Sequence, residues 1–266
     1  MPASNAKAVA KARTLPCDVV ILDLEDAVAP DAKDQARQAA VNAVREGGFG
    51  HREVIVRVNA PDTPYWADDC AAVRSTGVPV LIPKVGSRAM LQACAVNLPG
   101  RALWAMIETC EGILNIAEIA ASRAELPLEA FIIGTNDLAK EMFCRLEASR
   151  KPVWAALTMT VIAARRHGIS VFDGVFNDIS DTAGLEAECR EGADFGFDGK
   201  SLIHPSQIDP CNGIFSPTDE ELRWAHTIID VFASPENAAL NALKIEGRMV
   251  ERLHTEAAKR TIRRAG

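Results

Sequence analysis

Seven short runs of aliphatic and β-branched residues punctuate the chain: Val19 to Asp23, Val54 to Val58, Val80 to Pro83, Leu103 to Ile107, Phe131 to Gly134, Ser170 to Asp173 and Gly196 to Lys200. Longer amphipathic segments lie between them, with apolar residues at helical spacing, as in Ala36, Ala39, Ala40, Ala43 and Val44, or Ile113, Ile116, Ala117 and Ala120. Alternation of strand and helix on this scale predicts parallel strands covered by helices, because a parallel neighbour is reached only through a crossover. Both faces of such strands are buried, which fits runs that are apolar almost throughout.

The 266 residues suit one (β/α)₈ barrel, which needs about 250. Seven runs are visible where a closed barrel needs eight, and Met1 to Ala3 is where a strand would just be ending before a helix capped at Ser4 or Asn5. The expectation is therefore a TIM barrel whose first strand is largely missing, through a late start codon or a shortened chain. An open doubly wound sheet is the alternative, but no glycine-rich dinucleotide turn follows the first run. Residues 1–232 are assigned to the barrel, closing on a helix with Thr218 as N-cap and Glu221 completing a capping box. Residues 233–266 are read as a helical extension, either a lid, an oligomer arm or a terminal helix packed on its own barrel.

Charge and cysteine content narrow the partners. A net charge of −7 leaves no clustered basic surface for nucleic acid or an anionic membrane. The basic group Lys259, Arg260, Arg263 and Arg264 is read as a solvated helix face. Seven dispersed cysteines, never in a C-x-x-C pair, read as reduced thiols in a cytoplasmic protein. Neither a signal peptide nor an apolar stretch long enough to span a bilayer is visible.

In a parallel barrel the reactive groups sit where strands end, and four strand ends here are acidic: Asp23, Glu25 and Asp26; Glu108; Asp137; and Asp173. Carboxylates converging on one mouth repel unless a cation sits among them. Magnesium suits one or two carboxylates with water and substrate oxygens completing its shell, and no His or Cys is spaced for zinc. Glu108 and Asp137 are the candidate Mg²⁺ ligands, against the alternative that each merely caps its helix. Asp23 and Glu25 are expected to support them or cap turns. Arg57 shares a strand face with Ile55 and Asn59 and must meet an anion, either a substrate carboxylate or oxyanion in a bidentate fork, or a mouth carboxylate in a structural ion pair. Lys84 also ends a strand. An imine-forming lysine would have to lose its proton, which neighbouring carboxylates oppose, so an electrostatic supporting role is expected. His204, before Pro205, is read as structural.

The blocks Val20-Ile21-Leu22-Asp23-Leu24-Glu25-Asp26-Ala27-Val28, Val56-Arg57-Val58-Asn59, Leu81-Ile82-Pro83-Lys84-Val85, Trp104-Ala105-Met106-Ile107-Glu108-Thr109, Ile133-Gly134-Thr135-Asn136-Asp137-Leu138 and Phe197 to Ile208 resemble the citrate lyase β-subunit-like family of the HpcH/HpaI aldolase superfamily. The resemblance runs in order from Pro2 to about His254. It implies a (β/α)₈ barrel, usually trimeric or hexameric, that cleaves or forms 3-hydroxyacyl thioesters of the citryl, malyl or citramalyl type, carried on coenzyme A or an acyl carrier protein. By motif the family's metal-binding acids fall on Glu108 and Asp137 and its substrate-binding arginine on Arg57. Gly134, Thr135 and Asn136 are expected to contact substrate. Three departures stand out: the missing leading strand, Gly86 where many members carry glutamate, and a lid segment Ile245 to Glu251 with glutamates at two aspartate positions. Glu246 would then supply, across a subunit boundary, the acid or base that related lyases take from a lid aspartate. Two other functions remain open, a 2-oxo acid aldolase acting without a thioester and a non-catalytic paralogue.

Overall fold

The computed structural model describes residues 1–146 and 149–264, and the chain falls into two compact units, Met1–Cys211 and Asn212–Gly266. The first is α/β. Its seven strands are β1 (Val19–Asp23), β2 (Glu53–Arg57), β3 (Val80–Ile82), β4 (Leu103–Ile107), β5 (Leu128–Ile133), β6 (Ser170–Asp173) and β7 (Gly199–Lys200). All are parallel and lie in the sheet in chain order. A doubly wound sheet reverses its order at a switch point, and this one has no reversal. The helices are α1 (Ala6–Ala12), α2 (Lys33–Glu46), α3 (Trp66–Arg74), α4 (Arg88–Asn97), α5 (Cys110–Leu114), α6 (Ile116–Ala121), α7 (Thr135–Glu141), α8 (Trp154–His167), α9 (Thr182–Phe195) and α10 (Ile208–Phe215).

Strand positions follow the sequence runs to within one residue except at two ends. Strand β5 begins earlier, at Leu128. Strand β7 begins later than the expected Gly196, because Gly196 has φ 95° and closes α9 as a left-handed cap. At the other edge, Met1 to Ala3 lie against β1. The Asp23 N–H donates to Met1 O at 2.8 Å, the Ala3 N–H donates to Asp23 O at 3.0 Å, and Pro2 pairs in parallel with Asp23. Asn5 then caps α1 through its side chain.

Side-chain alternation sorts the sheet into two faces. Ile55, Leu81, Trp104, Ala130 and Ile132 form one cluster with Val19, Ile21, Met106 and Phe172, and the Trp104 ring stacks on Phe172 at 5.1 Å. The intervening residues, among them Leu22, Val56, Ile82, Ala105, Phe131 and Val171, are buried on the helix-covered face. Burying one large aliphatic side chain contributes about 1.5–3 kcal/mol, so a one-residue slip of any central strand would be costly.

Asp173 corrects one expectation. Phe172 belongs to the inner cluster, so Asp173 faces the other way, away from the other acidic strand ends. Its carboxylate accepts two bonds from Arg150 Nη1, at 2.6 and 2.8 Å, and one from Lys200 Nζ at 3.1 Å. All three side chains are at most 4% exposed, so Asp173 belongs to a buried ion network with Glu188 and Glu191. Asp173→Ala is expected to cost about 3 kcal/mol, the low end for breaking a buried pair, since Glu188 and Glu191 still hold the two cations. The shift of the urea midpoint measures it.

The second unit holds α11 (Asp219–Ala233), the antiparallel hairpin β8 (Ala242–Ile245) and β9 (Arg248–Glu251), and α12 (His254–Arg263). The expected capping box of Thr218 and Glu221 opens α11. The unit's core joins Ala225, Ile228 and Phe232 of α11 to Ile245, Val250 and Ala258. No helix among the described residues is long and apolar enough to cross a membrane.

Candidate active site

The inner-face alternation places Asp23 and Arg57 as the last residues of β1 and β2, and Glu108 and Gly134 one step past β4 and β5, all at the C-terminal end of the sheet. Asp23 is 3% exposed and fully used: Arg57 Nε and Nη2 each donate to it at 2.6 Å, and the Glu25 and Ala27 N–H groups donate at 2.9 and 3.1 Å. It thus fixes the arginine and the turn after β1 together. Burial alone would raise the Asp23 carboxyl, but the Arg57 fork and the two amides hold it below the usual carboxylate range. The remaining Arg57 nitrogen, Nη1, meets Glu25 Oε2 at 2.9 Å and Met106 Sδ at 3.6 Å. The structural ion pair foreseen for Arg57 is therefore formed, and only Nη1 is left off the Asp23 fork. Asn59 leaves that face altogether. Its amide donates to Leu24 O and Asp69, and its oxygen accepts from Lys33 Nζ.

Lys84 Nζ lies 3.0 Å from Glu25 and 3.9 Å from Asp26. Burial lowers its pKa, but the contacts with Glu25 outweigh that, so the ammonium is held above its ordinary value and suits the electrostatic role. Arg57 and Lys84 are thus engaged by Asp23, Glu25 and Asp26.

Glu108 stands apart. It is 2% exposed, and among the described residues it makes no ion pair within 4 Å. Its Oε1 accepts the Lys84 main-chain N–H at 2.9 Å. Burial first, then repulsion from Glu25 and Asp137, pushes its pKa to about 8. The carboxylate lies directly over Gly134, where a Cβ would come within 2.4 Å of Oε2. Glycine is required there because the glutamate fills the space. Asp137, half-buried in the first turn of α7, is close enough for its charge to raise Glu108, and it has no hydrogen bond or ion pair among the described residues.

The other expected residues are placed as follows. Thr135 is buried, with its Oγ1 against Gly174, while Asn136 is exposed and exchanges two hydrogen bonds with Asn177. Beside Gly86 the space of a side chain is taken by the Glu111 carboxylate, 2.7 Å from where a Cβ would be, so an acid stands there from another position. Glu246 belongs to the second unit, at the turn between β8 and β9, with φ 46° and an ion pair to Arg223 at 3.1 Å. His204 caps the turn before α10. Sequence reading missed Lys33, whose buried amine donates to Leu24 O, Glu25 O and Asn59 and ties the turns after β1 and β2 together. A cleft of about 390 Å³, bordered by Glu25, Asp26, Lys33, Asp62, Tyr65 and Lys84, opens beside this network.

Two carboxylates lacking a cation, one of them buried, form a donor set suited to a hard divalent ion whose other positions go to water and substrate oxygens. No group of three or more His, Cys, Asp or Glu side chains poised for a metal occurs among the described residues. The protonation of Glu108 gives a testable pH dependence. Between pH 4.5 and about 8 the folded protein keeps a proton that the unfolded chain releases, so metal-free stability is expected to fall as pH rises through that window. An ion that needs the deprotonated carboxylate stabilises increasingly over the same range. Thermal melts in chelator and in excess Mg²⁺ should therefore diverge as pH rises.

A family model described as HpcH/HpaI aldolase/citrate lyase matches residues 1–205. A (3S)-malyl-CoA thioesterase of Cereibacter sphaeroides is 42% identical over 100% of this chain and 92% of the relative. An L-malyl-CoA/beta-methylmalyl-CoA lyase of Rhodobacter capsulatus is 32% identical over 99% of this chain and 92% of its own. Among solved structures, the protein CitE from Mycobacterium tuberculosis, in complex with magnesium, acetoacetate and coenzyme A, is 32% identical with a TM-score of 0.80. That match covers 100% of this chain and 96% of that one.

Proposed function

The chain belongs to the HpcH/HpaI aldolase/citrate lyase family, and from that premise we propose that it is a Mg²⁺-dependent carbon-carbon lyase of 3-hydroxyacyl thioesters of the citryl, malyl or citramalyl-CoA type. The carrying observation is Glu108: a buried carboxylate that makes no ion pair among the described residues, repelled by Glu25 and by Asp137, two strands away from Arg57. A fold gains nothing from that repulsion unless an ion joins the two acids. The fold is read as a (β/α)₈ barrel with Met1 to Ala3 in the place of the first strand.

Glu108 and Asp137 would hold the ion, which when bound supplies Lewis-acid polarisation of substrate oxygens. Arg57, clamped by Asp23, presents fixed positive charge beside them, where charge develops on oxygen as the bond breaks. The substrate hydroxyl loses its proton and the carbon-carbon bond breaks, leaving a 2-oxo acid and a thioester enolate. The enolate carbon then takes up a proton, so none is consumed overall. Glu246 of a neighbouring copy in a trimer or hexamer is the candidate donor, and the cleft beside Lys84 gives the acyl chain room.

A second reading, thioester hydrolysis, is favoured by the 42% identity to malyl-CoA thioesterases. One assay separates them. The protein with Mg²⁺ is incubated with citryl, malyl and citramalyl-CoA, and products are resolved by chromatography. A 2-oxo acid with an acyl-CoA is expected for the lyase, whereas free CoA thiol with the intact hydroxy acid means hydrolysis. Pyruvate released from free hydroxy-oxo acids would instead point to a thioester-independent aldolase, and silence with every substrate to a non-catalytic paralogue.

A further inference from the structure

Lys84 is one of three non-glycine residues with positive φ among the described residues, at 52°. The left-handed region costs an ordinary side chain energy, so such a residue persists only where its surroundings hold it, and these residues concentrate at working sites. Two features hold Lys84. Its ammonium is anchored by Glu25 at 3.0 Å and Asp26 at 3.9 Å. The next amide, that of Val85, donates to Met106 O at 3.1 Å and ties the turn after β3 to the end of β4. The bend between these anchors turns the Lys84 N–H onto Glu108 Oε1 at 2.9 Å, the one hydrogen bond that this carboxylate receives among the described residues.

We propose that Lys84 is a positioning residue acting through its main chain: its left-handed backbone aims the amide at Glu108 and fixes the carboxylate in the orientation that binds the divalent ion. The ammonium's electrostatic role is to hold the bend through Glu25 and Asp26. This rests on the metal reading of Glu108 given above. Groups that orient a metal ligand typically change metal affinity by about 10–100-fold when lost.

Glycine and valine at position 84 separate backbone from charge. Both remove the ammonium, but glycine adopts positive φ without strain and valine is all but excluded from it. Mg²⁺ titrated calorimetrically into Lys84→Gly is expected to bind within about 3-fold of wild type, and into Lys84→Val about 10–100-fold more weakly. Equal affinities in the two variants, whether both weak or both like wild type, overturn the proposal. Lys84→Ala replaces the valine variant should that one fail to fold, with an intermediate loss expected. Glu108→Gln in the same titration tests the metal reading separately, since unchanged affinity there removes Glu108 from the ion site. Crystal structures of the glycine and valine variants then test positioning without any metal: the Glu108 carboxylate stays in hydrogen-bond contact with the residue 84 amide only in the glycine variant.

Discussion

Glu108→Gln is expected to abolish Mg²⁺ binding and to lower turnover of the cognate thioester by about 10²–10³-fold, the scale seen when one preorganised electrostatic stabiliser is lost. Glutamine keeps the shape and can still accept the Lys84 amide through its carbonyl, so charge is the main thing removed. The same substitution should stabilise the metal-free protein at alkaline pH. With its pKa near 8, Glu108 is ionised there while buried against Glu25 and Asp137, and a neutral amide carries none of that repulsion. A buried carboxyl shifted this far stores up to several kcal/mol, at 1.36 kcal/mol per unit. Melts at pH 8.5 in chelator should therefore place Glu108→Gln above wild type, and excess Mg²⁺ should reverse the order. A variant that loses both stability and turnover would mark Glu108 as a structural residue.

The opposite signs are what a functional site predicts. Residues chosen for stability lose it when replaced, whereas a buried carboxylate that makes no ion pair among the described residues is retained at a stability cost because something outside the chain pairs with it. Asp173 is the contrast within the same sheet. Its charge is as deeply buried, but Arg150 and Lys200 satisfy it from within the chain.

That contrast also marks how far the sequence could be read. The strand runs and the acids ending β4 and leading α7 were visible, because an acidic residue after an apolar strand breaks a local pattern. So was the family, carried by blocks that fall on the turns around Asp23, Arg57, Glu108 and Asp137. The direction in which Asp173 points was not, since it depends on where β6 starts its alternation and on Arg150, whose place against that strand no local pattern reveals. Lys33 hid for the same reason: on an amphipathic helix a lysine reads as solvated, and only the fold shows its amine buried against two carbonyls and Asn59. The left-handed turn at Lys84 carries no glycine to announce it. The space beside Gly86 likewise gives no sign in the sequence that Glu111 fills it.

Arg57→Leu should give the second large effect, in stability as well as turnover. Among the described residues Arg57 makes the only ion pair to Asp23, and it shares Glu25 with Lys84, so its removal leaves the nearly buried Asp23 carboxylate without a cation and Glu25 with Lys84 alone. Breaking a buried pair from one side costs about 3–5 kcal/mol, most of it the penalty of the charge left behind. The pH dependence follows from the sign of the Asp23 shift. With Arg57 present its carboxyl is held low, so this group's stabilisation is full at neutral pH and fades only as pH falls through its folded pKa. Without Arg57 only the Glu25 and Ala27 amides oppose burial, the carboxyl rises, and protonation relieves the uncompensated charge as the solution is acidified. The destabilisation read from urea midpoints should thus be largest near pH 7 and clearly smaller near pH 4.5. Arg57→Lys keeps a charge but cannot span both Asp23 oxygens, and it is expected to fall between, recovering more stability than turnover because catalysis depends on where the fork points. A loss for Arg57→Leu that does not change with pH would mean that the space the arginine fills, and not its charge, is what the fold uses.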